Sequence, residues 1–179
     1  MKITFLGTGT SQGVPVIGCD CDVCRSKDPK DKRLRTSILI EVGNKVFIVD
    51  TGPDFRQQML NEEVHNISGI IYTHEHRDHV AGLDDVRPIN FLKQKPIEIY
   101  GEERVLEALK QMIPYAFGNN KYPGVPDINL NLITNKTFAI EGVEFTPIRV
   151  YHYKLPVFGF RISNFTYITD ANYIPEEEK

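Results

Sequence analysis

Apolar residues in this chain fall mostly in short runs rather than in helical stripes. Lys2 to Leu6 reads as a buried strand, closed by the turn-forming Gly7-Thr8-Gly9-Thr10. Thr36 to Glu41 and Lys45 to Val49 are β-branched runs around Gly43-Asn44, the pattern of a hairpin. Ser68 to Tyr72 and Ile97 to Tyr100 are two further apolar strands. Strands are expected again around Asn129–Ile133, Val143–Tyr151, Val157–Ile162 and Phe165–Thr169. Helical spacing is found at two places. Phe55, Met59 and Leu60 repeat within Pro53–Glu62, with proline early in the segment, and Val105, Leu106, Leu109 and Met112 follow the Ile97 strand. Residues 11–35 carry Gly, Pro, Cys, Asp and Lys without either period and read as a long excursion loop, with Pro114–Pro126 a second loop.

Strands that outnumber helices, several of them in hairpins, predict an α/β fold built on a mixed sheet covered by helices. A strictly alternating doubly wound fold does not fit this order. No repeat or linker interrupts residues 1–179, so one domain is expected. The sequence stops at Pro175-Glu176-Glu177-Glu178-Lys179, where proline followed by acids is how a helix begins. The expectation is therefore a domain whose C-terminal part is missing.

Composition narrows the functions. The 179 residues are 41% hydrophobic and 25% charged, ordinary for a globular protein. A net charge of −3 gives no global attraction to nucleic acid or anionic membrane, so a phosphate would have to be held by metals and individual Arg or Lys residues. No apolar run approaches the ~20 residues that span a bilayer, and the N-terminus is not a secretory signal. The three cysteines all lie between Cys19 and Cys24, too close to staple distant segments. Metal binding and a reducing cytoplasm follow as expectations.

The chemistry concentrates in Thr73-His74-Glu75-His76-Arg77-Asp78-His79, directly after a buried strand. Imidazole and carboxylate in this density suit zinc, manganese or iron. His74 and His76, alternating along an extended segment, can point one way, while Asp78 and His79 lie past the bend and can face a second ion. The zincin pattern is excluded, because Asp78 stands where its second histidine would be. His152 and Asp170 each follow a predicted strand, and ligands at neighbouring strand ends can converge on one sheet edge. A carboxylate can bridge two ions, as in two-metal phosphoester hydrolysis. Cys19, Cys21 and Cys24 can share one tetrahedral zinc, with Asp20, Asp22, water or a partner chain as a fourth ligand. The alternative is a redox dithiol, against which stands the lack of a helix start beside Cys21. Gly7–Gly13 has neither the Walker lysine nor dinucleotide spacing and reads as a tight turn. Arg87 is a candidate for touching phosphate or for pairing with Asp84 or Asp85, and His65 reads as surface.

Thr-His-x-His-x-Asp-His resembles the signature of the metallo-β-lactamase superfamily, which implies an αββα sandwich with a dinuclear site at one edge of the paired sheets. The resemblance implies His74, His76 and His152 as ligands of one metal, Asp78 and His79 of the second, and Asp170 as the bridge. Asp50, in Val49-Asp50-Thr51-Gly52, matches the superfamily's Asp-x-Gly, which orients the ligands; without that match it reads as a turn former. Gly7–Pro15, the cysteine triplet and Gly82–Pro88 are similar to the phosphodiesterases of phosphonate breakdown that act on phosphoribosyl 1,2-cyclic phosphate. There the triplet holds a structural zinc with a later histidine. The same relatives carry further histidines, one a metal ligand and one for leaving-group protonation, whereas no histidine follows His152 here.

These readings converge on a metal-dependent phosphodiesterase, in which a metal-bound hydroxide attacks phosphorus in a cyclic or small phosphodiester. Asp78 is also the candidate for orienting the nucleophile or taking its proton. The cofactors expected are two divalent ions, zinc or manganese, and one structural zinc. Other hydrolases of the fold (an RNA-processing nuclease, a thioesterase or a lactamase) and a non-catalytic metal-binding fragment are the alternatives. No membrane partner is expected; a homodimer is, formed over apolar surface left by the missing segment.

Overall fold

The computed structural model describes residues 1–118 and 121–179; part of the expected Pro114–Pro126 loop, Asn119 and Asn120, lies outside the described residues. The strands are β1 (Lys2–Gly7), β2 (Ser37–Val42), β3 (Lys45–Val49), β4 (Gly69–Ile71), β5 (Ile97–Gly101), β6 (Ile128–Leu132), β7 (Phe138–Ile140), β8 (Val143–His152), β9 (Leu155–Ile162) and β10 (Phe165–Tyr167). The α-helices are α1 (Asp22–Arg25), α2 (Phe55–Asn61), α3 (Arg77–Val80), α4 (Arg87–Lys93) and α5 (Glu103–Met112). Strands β1 to β6 form one six-stranded sheet in chain order, antiparallel through β3 and parallel from β3 to β6. Strands β7 to β10 form a second, four-stranded antiparallel sheet.

The first sheet is buried on both faces, which is why β2, β3 and β4 are continuous apolar runs. Successive side chains still alternate. Ile38, Ile40, Phe47, Val49 and Ile71 face the second sheet and meet Phe145, Phe158, Phe160 and Ile162. Leu39, Ile48 and Ile70 point the other way, against Phe55 of α2, Ile89 of α4 and Leu109 of α5. The result is a layer of helices, a mixed sheet and a second sheet, three layers of the expected αββα sandwich.

Four elements, α1, α3, α4 and β7, depart from the sequence reading. Helix α4 carries one buried residue, Ile89, while Phe91 and Leu92 are 62% and 65% exposed. Its apolar positions therefore never made a helical stripe. Strand β7 is only three residues long and is joined to β8 by Glu141-Gly142, both at positive φ (49° and 79°). That two-residue turn has the primed geometry of hairpins but not their usual Asn-Gly or Asp-Gly sequence. The excursion loop contains α1, and Pro175–Glu178 forms a single 3-10 turn over Glu176–Glu178. No helix among the described residues is long and apolar enough to cross a membrane.

The topology gathers strand ends. β3 and β4 are parallel neighbours, so Asp50 and the His74–His79 segment leave the sheet at the same edge. His152 ends β8, and Asp170 follows β10. Phe47 fixes the seam between the sheets: it is fully buried, with its ring 5.1 Å edge-to-face from Phe145. Replacing it by alanine is expected to destabilise the protein by about 3–5 kcal/mol through lost burial and a cavity. Phe91→Ala on the exposed face should stay within about 0.5 kcal/mol. Urea unfolding of both variants checks the contrast.

Candidate metal centre

Asp50 organises one side of the strand edge. Its backbone is left-handed (φ 65°), a conformation Asp tolerates better than most residues, and its side chain has no solvent exposure. The carboxylate accepts from the Thr73 N–H at 2.9 Å, from the Thr73 hydroxyl at 2.8 Å and from His79 Nδ1 at 2.8 Å. Two glycines allow the loop after Asp50 to approach α3 this closely. A Cβ on Gly52 would stand 2.2 Å from the Asp78 carbonyl oxygen, and one on Gly82 would stand 2.2 Å from the Gly52 carbonyl oxygen. The Thr51 N–H donates to the His79 carbonyl at 2.7 Å and the Gly82 N–H to the Thr51 carbonyl at 2.8 Å.

These bonds set which nitrogen each ring presents. The Thr73 hydroxyl gives its only hydrogen to Asp50, so its oxygen accepts from His74 Nδ1, 2.9 Å away. His74 is thereby held as the tautomer with a bare Nε2, and that atom is buried without a hydrogen-bond partner. His79 gives Nδ1–H to Asp50 and turns Nε2 toward Asp170 Oδ2 at 3.0 Å and Asp78 Oδ2 at 3.4 Å.

Charge follows from this placement. Burial, and after it the His79 charge, push the His74 imidazole down to about 4. Burial also pulls at His79, but Asp50, Asp170 and Asp78 together push it up to about 12. The His79 hydrogen bond holds Asp170 down to about 2 and Asp78 below the usual carboxylate range.

Around His74 the other candidates close in. Its ring centroid is 4.6 Å from His76, 4.1 Å from His79 and 6.1 Å from His152; His76 and His152 are 5.4 Å apart. Asp170, also left-handed (φ 54°), places Oδ2 3.7 Å from His74 Nε2 and 3.0 Å from His79 Nε2. Ligand atoms of His74, His79 and Asp170 all lie within 4.8 Å of one another. The donor set and the orphaned His74 nitrogen suit a cation. His74 and His79 are buried, Asp78, Asp170 and His152 half-buried, and His76 exposed, so the centre opens to solvent on the His76 side.

The cysteine triplet forms a separate group. Cys19, Cys21 and Cys24 are free thiols with sulfurs within 4.8 Å of one another. The sequence suggested no helix start beside Cys21, yet Cys21 is the N-cap of α1. The Cys24 backbone N–H and the neighbouring thiols hold Cys21 below the ordinary thiol range. At Cys24, the Val16 N–H (3.4 Å) pulls downward, but burial and the other two sulfurs push the thiol up on balance. Elsewhere, Arg87 pairs with Asp84 and His65 is exposed. Arg104, which donates to Glu75 inside the histidine segment at 3.2 Å, was not singled out from the sequence. Only its contacts in the folded chain set it apart.

This edge-of-sheet constellation on a helix–sheet–sheet scaffold defines a class, and the comparisons agree with it. The profile of the β-lactamase superfamily domain matches residues 45–179, and the chain belongs to the metallo-β-lactamase superfamily. Within it, the chain resembles the crystal structure of a diphosphatase from the PhnP family, at 37% identity and a TM-score of 0.90, covering 98% of this chain and 68% of that one. An octanoyltransferase of Porphyromonas gingivalis is 40% identical over 99% of this chain and 36% of its own length. A ribonuclease Z of Methanococcus maripaludis is 30% identical over 76% of this chain and 39% of its own. The chain thus spans little more than a third of the length of these two curated relatives.

Asp50→Ala tests the organising role. It leaves the Thr73 N–H and hydroxyl and His79 Nδ1–H without their carboxylate partner in a dry site, so the chelator-treated protein is expected to lose about 3–5 kcal/mol in urea unfolding. Unchanged stability would contradict this account of Asp50.

Proposed function

We propose that this chain is a metal-dependent hydrolase whose reaction is cleavage of a small phosphodiester. The observation that carries the reading is the buried, unpartnered His74 Nε2, in a ring whose centroid lies 4.6, 4.1 and 6.1 Å from those of His76, His79 and His152, with Asp170 Oδ2 3.7 Å from that nitrogen. His74, His76 and His152 would hold one ion, Asp78 and His79 a second, with Asp170 between them. Two divalent cations, zinc or manganese, would supply Lewis acidity, neutralise phosphate charge and lower the pKa of a water at the site. The chain's own groups prepare for that chemistry. Thr73 fixes the tautomer of His74, and Asp50 holds His79 by Nδ1, so that Nε2 of each faces the centre; His79 would release its Nε2 proton on binding an ion. Asp78, its carboxylate beside His79, orients the attacking water or takes its proton.

The likeness to a diphosphatase supports phosphorus as the electrophile and widens the substrate class to diphosphates. RNA cleavage, suggested by the ribonuclease Z likeness, has less support, because a net charge of −3 offers no general attraction to RNA. We also propose a zinc at Cys19, Cys21 and Cys24, supported by the mutual approach of their sulfurs.

Protein purified without chelators is expected to bind two divalent ions at the histidine centre and to hydrolyse a bis-aryl phosphodiester. His74→Ala combined with His76→Ala should remove that turnover to background and reduce the ion content by elemental analysis. Activity that survives both substitutions would end the reading, and faster cleavage of RNA than of the diester would replace it with the nuclease. Thiol titration without denaturant checks the cysteines: three slow thiols should become fast once a zinc chelator is added, and three fast thiols from the start would refute the zinc.

A further inference from the structure

Glu75, between His74 and His76, belongs to a chain of charges that the proposed chemistry does not use. Its Oε1 accepts from Arg104 Nη1 at 3.2 Å, while Oε2 is buried without a partner. Arg104, in the first turn of α5, also donates to Glu102 Oε2 at 3.4 Å and to the carbonyl of Pro156 on β9. Glu102 in turn receives both guanidinium nitrogens of Arg149 on β8, at 2.9 and 2.6 Å. Arg149 lies 3.9 Å over the ring of Phe158, whose N–H donates to the Thr73 carbonyl at 3.1 Å. The four charged side chains are 20–29% exposed, so water screens them only in part.

The circuit adds charged contacts between two bodies that also meet through apolar packing and the Phe158–Thr73 backbone hydrogen bond. One end is the histidine segment leaving the first sheet. The other is the β8–β9 pair of the second sheet, whose connection starts at His152. We propose that Arg104, acting through Glu75, is a positioning residue that sets the gap between His74 and His76 on one sheet and His152 on the other. Its planar fork fits that role, because it reaches a carboxylate of the segment, a carboxylate beside its own helix and a backbone carbonyl of β9 at once. Lysine, whose three donors share one nitrogen, cannot span the three. The inference rests on the reading of His74, His76 and His152 as ligands of one ion.

The test is metal affinity of the whole protein, by competition of zinc against a chromophoric chelator, with thermal unfolding of the metal-free protein alongside. Arg104→Lys is expected to weaken zinc binding at the histidine centre by about 10–100-fold, the usual effect of losing a group that orients a ligand. Glu75→Gln, which cannot disturb α5, should show the same direction, and the double variant should be no worse than Arg104→Lys alone. If Arg104→Lys binds zinc as the parent does, charge without geometry suffices and the proposal falls. It also falls if both single variants only lower the metal-free melting temperature and leave zinc affinity unchanged, for the circuit is then plain structural support. His74→Ala is the control: if it leaves zinc binding intact, the ligand reading has failed and not the role of Arg104.

Discussion

The Asp50 carboxylate sits in a dry pocket at the end of β3 and takes three hydrogen bonds from two residues of the neighbouring strand end. A buried charge without partners is among the most costly features a fold can contain, so the surrounding backbone has little freedom once Asp50 is there. Thr73 must bring both its N–H and its hydroxyl, which fixes where β4 ends and which way His74 turns. His79 must bring Nδ1, which fixes α3. Gly52 and Gly82 follow from that closeness, since neither tolerates a Cβ against the facing carbonyl. Much of the centre is thus a consequence of satisfying one carboxylate.

Electrostatics and geometry agree here. In the metal-free chain the His79 imidazolium is the counter-charge for Asp50, Asp78 and Asp170, and it holds these acids at one point instead of letting them repel. His74 stays neutral beside it because burial and the neighbouring cation both oppose a second charge. One imidazole stores the positive charge and the other keeps a lone pair ready. The two states are set by environment alone.

Much of this was legible in the sequence, for identifiable reasons. Both-face burial made β2, β3 and β4 solid apolar runs, and the hairpin at Gly43-Asn44 carried its own turn chemistry. The segment from His74 to His79 announces itself by composition, because few folds need so many imidazoles together. His152 and Asp170 were legible as strand-end residues only beside that segment. What escaped was what depends on distant partners. Helix α4 covers the core with Ile89 alone, β7 exists because β8 is there to pair with it, and Cys21 caps a helix too short to leave a period. Arg104 is one arginine among many in a linear reading. Its three acceptors come from Glu75, Glu102 and Pro156, which only the folded chain brings together.

The division of the imidazoles between two sheets has a consequence for how the protein comes apart. His74 and His76 leave the first sheet, while His152 ends a strand of the second, and between the sheets lies an aromatic and aliphatic seam with no covalent tie. A cation held by all three would act as a rivet through that seam. Chelation then does more than silence chemistry: it removes a fastener that spans the sandwich at this edge, leaves the Arg104 circuit to hold it alone with the Phe158–Thr73 hydrogen bond, and lets the seam open there first. Proteolysis or amide exchange would register that opening at the rim near His152 well before the centre of either sheet lets go.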